Sequence, residues 1–392
     1  MTSEWHEVPL RELVGYISKG IAPSYAEEES ETTIKVLNQK CNRNFQISYG
    51  DSRLHDTLKK KVPPERYVKP DDILINSTGA GTAGRIAQIE DVPSATTIDG
   101  HMTLIRSNGK VTQKFLGYAL KAHQWEVLQL DEGSTGQTEL NRDRLLDEIM
   151  INYPVSFDEQ NAIVCTLESI DRKLIVNEQL NDNLQQQASA LFSSFYDWSN
   201  TEVRYTDLIQ ILGGGTPKTG ENTYWNGNIA FFTPKDVGTP YTLITEKTIT
   251  EEGLSHCNSR LYPVNTVFVT ARGTVGKVGM SGVPMAMNQS CYALVGKETH
   301  QLLVYFYTLK AVDRLKHKAS GAVFDAITTR DFESEQIMKL SDDDAKAFLC
   351  IAEPMFQKVL NNCIENLRLS TLRDSLLPKL MSGEVDVSAV KL

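Results

Sequence analysis

The sequence predicts an α+β chain: two α/β domains in tandem repeat, separated by two long antiparallel coiled-coil helices with pseudo-twofold symmetry. Three observations predict it. The chain of 392 residues repeats itself, since GTAGRI at 81–86 returns as GTVGKV at 273–278. A stretch at 157–196 holds neither glycine nor proline and spaces its apolar residues alternately four and three apart. That spacing returns 185 residues later, with asparagines at the same two places in the series. The expected order is a first domain at 1–156, a first helix at 157–196, a second domain at 197–341, and a second helix with a C-terminal tail at 342–392.

The first domain opens with VPLRELVGYISKG at 8–20, which VRYTDLIQILGGG at 203–215 echoes in the second. Its apolar run Ile73-Leu74-Ile75 leads into STGAGTAGRIA at 77–87, which contains G-x-G-x-x-G at Gly79, Gly81 and Gly84. A strand followed by that pattern is the order of a dinucleotide-binding loop, so a nucleotide-binding enzyme using 79–84 is one reading. The second copy opposes it. There Ala271 takes the place of Gly79, and turn residues crowd the interval after the loop: Pro93 in the first copy, Gly279, Gly282 and Pro284 in the second. They favour a strand and turn over the helix whose N-terminus would hold a pyrophosphate. What both copies keep is G-T-x-G followed by a base, Arg85 or Lys277. That is either a tight turn with a solvated cation or a loop that approaches a phosphate backbone closely. Further on, DGHMTLI from Asp99 matches NQSCYAL from Asn288. Asn141-Arg142-Asp143 before Glu148-Ile149-Met150 likewise matches Thr329-Arg330-Asp331 before Gln336-Ile337-Met338.

The first helix carries the seam Ile163, Leu167, Ile170, Leu174, Asn177, Asn181, Leu184, Ala188, Leu191 and Phe195. That is a heptad pattern of about 33 residues, or about 50 Å of helix. The second carries Phe348, Ala352, Met355, Val359, Asn362, Asn366, Leu369, Arg373, Leu376 and Leu380. An antiparallel pair that joins Asn177 with Asn366 and Asn181 with Asn362 also sets Leu174 opposite Leu369, Leu184 opposite Val359, Leu167 opposite Leu376 and Ile163 opposite Leu380. Ile170 then faces Arg373, whose stem is expected to pack while its charge reaches water. Buried asparagines lower stability and fix register. Pro354 is expected to break or bend the second helix. The alternative is two amphipathic helices docked on separate cores. Of the net charge of -10, the segments 157–196 and 333–392 hold -7. The two domains are therefore close to neutral, and a local basic face on them is compatible with nucleic acid.

Several classes drop out. No apolar run approaches the ~18–20 residues of a membrane helix, and MTSEWHEVPLREL has no basic-then-apolar signal region. Six cysteines without a C-x-x-C pair point to reduced thiols in the cytoplasm and to no metal site, as do seven histidines without ligand spacing. The adenine methyltransferase motif Asn/Asp-Pro-Pro-Tyr/Phe is absent, no Walker lysine follows a proper glycine loop, and Pro70-Asp71-Asp72 is not followed by an acid-x-lysine strand.

Three stretches resemble the specificity subunits of type I restriction–modification systems. They are GGGTPKTGENTYWNGNIAFFTPKDV at 213–237, GSTGQTELNRDRL at 133–145, and LRDSLLPKLMSGEVDV at 372–387 with its partner FDEQNAIVCTLESIDRKL at 157–174. The likeness covers the whole chain in the order target recognition domain, helix, target recognition domain, helix. It departs where GIAPSY at 20–25 faces GGTPKTG, and where GAVFDAITTRD at 321–331 faces GSTGQTELNRD. The resemblance implies a non-catalytic reader of double-stranded DNA that recruits two methyltransferase subunits, joined by restriction and translocase subunits. It implies no cofactor on this chain and S-adenosylmethionine on the partner methyltransferase. A protein-only tandem scaffold is a further alternative.

For such a reader the candidate base contacts in the first domain are Asn38, Gln39, Lys40, Asn42, Arg43 and Asn44, amides and bases suited to the major groove. A plain polar turn is the alternative. In the second domain they are Lys218, Thr219, Asn222 and Tyr224, with Trp225 divided between this loop and the core. Arg85, Lys235, Arg272 and Lys277 are candidate phosphate contacts. Lys59-Lys60-Lys61 reads as a solvated run or a phosphate contact, and His101 as a structural histidine. Two readers at opposite ends of the helices would address half-sites about 34–36 Å apart.

Overall fold

A computed structural model describes residues 4–79, 81–132, 139–238, 240–318 and 326–387. The chain forms two compact units, residues 1–173 with 369–392 and residues 174–368. Each unit holds one α/β domain and a segment of each long helix.

In the first unit a sheet runs in the order Val14–Lys19, Met102–Ser107, Ile73–Asn76, Ile86–Gln88, antiparallel throughout. Ile73–Asn76 is buried along its whole length, so Ile73-Leu74-Ile75 is apolar without alternation, and the amide of Asn76 is met by hydrogen bonds. Its neighbours still obey the two-residue period of a strand. Leu74 and Leu104 face a core with Leu37, Ile98 and Met102. Ile73, Ile75 and Ile105 face a second core with Phe115, Leu116 and Ala119 of the helix Gln113–Ala122. A second sheet runs Thr96–Ile98, Thr33–Leu37, Arg53–Asp56, Tyr25–Ala26, its first pair parallel. The second unit repeats this plan. Its main sheet is Ile209–Gly213, Cys291–Gly296, Val267–Thr270, Val278–Ser281, with Tyr241–Thr242 added at the edge. Its second sheet is Lys247–Ile249, Trp225–Phe232, Met285–Met287, again with one parallel pair. The sequence repeat is therefore a repeat of strand order.

In each unit the strand that enters the domain pairs antiparallel with the strand that leaves it: Trp5–Pro9 with Met150–Pro154, and Thr201–Arg204 with Gln336–Lys339. The leaving strands run almost directly into the long helices Phe157–Trp198 and Asp342–Met381. Asp158 and Glu159, and Asp342, Asp343 and Asp344, sit in the first turns, where negative charge meets the helix dipole. Ser341 Oγ accepts from the Asp344 N–H at 3.1 Å and caps the second helix. That helix runs unbroken through Pro354, contrary to the expectation. Proline crowds the carbonyl of Cys350, which lies on the exposed face of the helix, while buried Phe348, Ala352, Phe356 and Val359 hold the turns on either side. Past Met381 the chain turns at Gly383, φ +74°, against the Trp5 ring, which a Cβ there would approach to 2.9 Å.

The helices pair antiparallel through the asparagines. In the second unit Asn177 Nδ2 donates to Asn366 Oδ1 and to Glu365 Oε2, both at 2.8 Å, and Asn362 Nδ2 donates to Asn181 Oδ1 at 2.8 Å. Asn177 corresponds to Asn362 and Asn181 to Asn366, so the two pairs exchange under the repeat. Ala188, Phe348, Ala352 and Val359 line the seam in the second unit, and Ile163, Leu167, Ile170 and Leu380 in the first. The buried stripe widens where a helix also meets its domain, taking in Val164 and Leu377 in the first unit and Phe192 and Phe356 in the second. Arg373 corrects the expectation made for it. Its guanidinium is held between two carboxylates, donating to Asp171 Oδ1 at 3.0 Å and pairing with the exposed Asp374 at 2.8 Å.

Replacing Asn181 and Asn362 together by leucine is expected to raise stability by about 1 kcal/mol, because removing both partners leaves no orphaned polar group. It is also expected to admit slipped alignments, since leucine layers are interchangeable. Thermal melting and cysteine crosslinking across the seam check the two effects, and a lower melting temperature would contradict the first. Among the described residues no helix is long and apolar enough to cross a membrane.

Candidate nucleic-acid interface

The G-T-x-G segments are turns between antiparallel strands, Ile73–Asn76 to Ile86–Gln88 and Val267–Thr270 to Val278–Ser281. Gly81, Gly84, Gly273 and Gly276 take φ of +69°, +82°, +84° and +74°, the left-handed region that glycine enters without strain. A strand follows, not a helix, so the dipole that would hold a pyrophosphate is missing and the dinucleotide reading fails. Hydrogen bonds also correct the alignment of the copies. Gly84 N donates to Asn76 O at 2.8 Å and Gly276 N to Thr270 O at 2.9 Å. Ser77 N donates to His101 O, and Ala271 N to Ser290 O, both at 2.8 Å. Ala271 thus corresponds to Ser77, and residues 79–80 are a two-residue addition to the first copy.

The two shared glycines do different things. A Cβ on Gly84 would lie 2.9 Å from Val127 O, whereas one on exposed Gly81 would meet nothing within 4 Å. Gly84→Ala is therefore expected to cost about 2–3 kcal/mol, backbone strain plus a clash, and Gly81→Ala about 1 kcal/mol, strain alone. Urea denaturation of both variants checks the order, and equal losses would refute it.

In the first unit the glycine turn and the candidates at 38–44 come together. Asn38 caps a short turn, accepting from Lys40 N at 2.9 Å and donating to Asp51 O at 2.7 Å. Gln39 lies over Gly79. Asn42 is 1% exposed, and its Nδ2 donates to Arg85 O at 2.8 Å and Asn76 Oδ1 at 3.2 Å. Its amide therefore fastens this loop to the strand pair and is not on the surface. Lys40, Arg43, Asn44 and Arg85 are exposed. Arg43 reaches Asp51 at 3.6 Å, and Arg85 donates to Gly81 O at 3.1 Å. His101 is held by Thr78 Oγ1 at 2.7 Å, and its N–H is accepted by Asp99 Oδ1 at 2.9 Å. Burial pushes the Asp99 carboxyl up against the lowering effect of that hydrogen bond. Thr78 bridges to Glu139, as Arg272 does to Ala326. The stretches 133–138 and 321–325, parts of two motifs quoted above, lie outside the described residues.

In the second unit Lys235, Arg272 and Lys277 are exposed around the corresponding turn. Thr274 Oγ1 donates to Pro234 O at 3.2 Å, which places Lys235 beside the turn, where it reaches Glu246 at 3.4 Å. Thr216 bonds Gln289, linking the loop that carries exposed Lys218, Thr219 and Asn222 to the turn at Ser290. Tyr224 stacks on His256 at 4.9 Å. Trp225 donates through Nε1 to Lys218 O at 3.1 Å and packs edge-on to Phe231 at 5.6 Å. It is a half-buried support for the loop.

Sequence reasoning missed three residues. Lys316 lies along Gly276, where a Cβ would be 2.7 Å from its Cε, and so adds a cation to the turn. The basic run RLKHK at 314–318 was the available signal. Trp125 is 73% exposed, next to Gln124, whose side chain donates to Gly84 O and accepts from Ile86 N. Phe45 sits under Lys121, with Nζ 5.0 Å from the ring centroid. No periodicity marks either aromatic.

Residues 2–186 and 197–339 match the model of the type I restriction modification DNA specificity domain. The chain is 31% identical over 134 residues to the type I restriction enzyme MjaIX specificity subunit of Methanocaldococcus jannaschii, 33% of this chain and 31% of that one. It is 28% identical over 186 residues to the HindI specificity subunit of Haemophilus influenzae, 46% of this chain and 40% of that one. The chain thus spans well under two thirds of the length of these curated relatives. In fold it is similar to the crystal structure of a type I restriction-modification system S subunit from M. genitalium. The TM-score is 0.62 and the identity 14%, over 97% of this chain and 96% of that one.

Proposed function

The chain belongs to the type I restriction modification DNA specificity domain family, and on that premise we propose that it is the sequence-specific DNA-binding subunit of a type I restriction–modification complex. It reads a bipartite, asymmetric site with its two recognition domains and scaffolds two methyltransferase subunits, which restriction and translocase subunits join. Methylation, with its S-adenosylmethionine, and cleavage belong to those partners in the cytoplasm, and this chain is not itself an enzyme. The supporting observation is that one repeated scaffold carries two unlike loop clusters around its glycine turns. A scaffold fixes position while loops vary in what they contact, which suits two different half-sites.

Exposed Lys40, Arg43, Arg85, Lys235, Arg272 and Lys277 offer cations to phosphate. Six such contacts would lower affinity about 10³-fold as salt rises from about 50 to 200 mM. A gel shift of the assembled complex on duplex DNA tests this. Affinity that is flat with salt and blind to sequence would leave the protein-only scaffold. Tight binding of a nucleotide or of S-adenosylmethionine by this chain alone would instead revive the enzyme reading.

A further inference from the structure

The turn at Asn44-Phe45 joins the paired strands Asn42–Arg43 and Gln46–Ile47. Both turn residues are left-handed, with φ of +53° and +62°. Two-residue hairpin turns want this geometry, but they place glycine at the second position, because a side chain there crowds the carbonyl. Phenylalanine in the left-handed region costs about 1–2 kcal/mol. Its ring has a partner. Lys121 Nζ lies over it at 5.0 Å, and that lysine is itself buried and held by Asp171 at 3.2 Å. The stem is fixed as well, by the buried amide of Asn42 on Arg85 O. What the fold leaves exposed on the hairpin is Arg43 and Asn44, with Gln46 just past the turn.

The hairpin belongs to one reader only. In the second unit Tyr241–Thr242 pairs with Val278–Ser281 at the sheet edge. In the first unit the hairpin packs against Ile86–Gln88 at the corresponding edge. Among the described residues the second unit has no hairpin there.

We infer that Phe45 is a positioning residue for DNA reading. Its ring, clamped by Lys121, holds the strained turn in one conformation, so that Arg43 and Asn44 meet the base edges of one half-site in a fixed register. Glycine would satisfy the turn and free its tip. The strain is the cost of a rigid reader, and it is retained at a place where the shared scaffold of the two units does not demand it.

The inference rests on the proposed DNA-reading function, and the test separates the two. The chain assembled with its methyltransferase subunits is titrated against the cognate duplex and against duplexes with single base changes in each half-site. Phe45→Gly is expected to keep the melting temperature, because relief of strain offsets the lost ring contact. It is expected to lose about tenfold of the discrimination at one half-site, roughly one base contact, with the other half-site unaffected. Phe45→Tyr should restore it. Lys121→Met, which keeps the turn residues and removes the cation, should lower discrimination at the same half-site, and it serves if Phe45→Gly fails to fold. Unchanged discrimination in both variants, or an equal loss at both half-sites, overturns the inference alone. A wild-type complex without sequence preference overturns the DNA-reading function beneath it.

Discussion

Asp171→Ala is expected to destabilise the first unit by about 3 kcal/mol, chiefly the penalty for leaving the largely buried Lys121 unpaired, since Arg373 keeps Asp374 at 2.8 Å. Asp171 accepts from Tyr118 Oη at 2.9 Å, from Lys121 Nζ at 3.2 Å and from Arg373 at 3.0 Å. The Lys121, Asp171 and Arg373 side chains are only 11%, 18% and 20% exposed. Burial already lowers the Lys121 pKa, and Asp171 is the main influence raising it. Without Asp171 it falls further below the unfolded value of about 10.4. Between those two values the unfolded chain binds more protons than the folded one, so the variant's stability should rise with pH through that window. Urea denaturation across neutral to alkaline pH reads both effects. A loss under 1 kcal/mol that is flat with pH would mean water already satisfies these groups.

The second unit supplies the control. At the repeat spacing set by Asn177 and Asn362, Phe356 stands where Asp171 stands and Ala188 where Arg373 stands. Phe356 packs on Phe306 at 5.5 Å and on Tyr305 at 5.7 Å. Its truncation should cost a similar amount with no pH dependence, because only apolar contact is lost. At this one position the first domain meets the helices through ions and the second through aromatic rings.

That difference shows what the sequence carried openly. The long helices and their register were legible because a seam must repeat and the chain wrote it twice; two asparagine layers leave one sensible alignment. The glycine turn was legible as a turn because two copies with crowding glycines and prolines excluded a helix. Its alignment was misread, since Ala271 and Gly79 share a place in the string but not in the hydrogen bonds. Arg373 was misjudged for a related reason. A charged residue in a seam looks like an intruder until Asp171 is seen to accept from it and from Tyr118 and Lys121 together. Asn42 shows the limit most plainly. Its neighbours Lys40, Arg43 and Asn44 are exposed, and nothing in NQKCNRN marks Asn42 as the side chain that the sheet draws inward. Composition places polar groups on a loop, but only packing decides which of them face water.

Adding one heptad to each long helix, between Asn181 and Leu184 in the first and between Val359 and Asn362 in the second, is expected to lengthen the unread spacer of the DNA site and leave both half-sites unchanged. These insertions fall between the same two layers of the antiparallel pair, and seven residues keep the seam in phase. They add about 10 Å of helix, so the spacer can grow by at most about 3 bp. Each added base pair also rotates the far half-site by about 35° around the duplex, a turn that a gently supercoiled insert does not follow. The expected gain is therefore about 1–3 bp, with weaker affinity than the parent complex. Four-residue insertions at the same places add a stutter of about one turn and should unwind the pair locally, adding about 6 Å instead of 10 Å. Genome-wide methylation mapping with parent and heptad variant reads the result directly. An unchanged spacer would show that the helices do not set the separation, and altered half-site sequences would show that the readers are not independent of the helices they stand on.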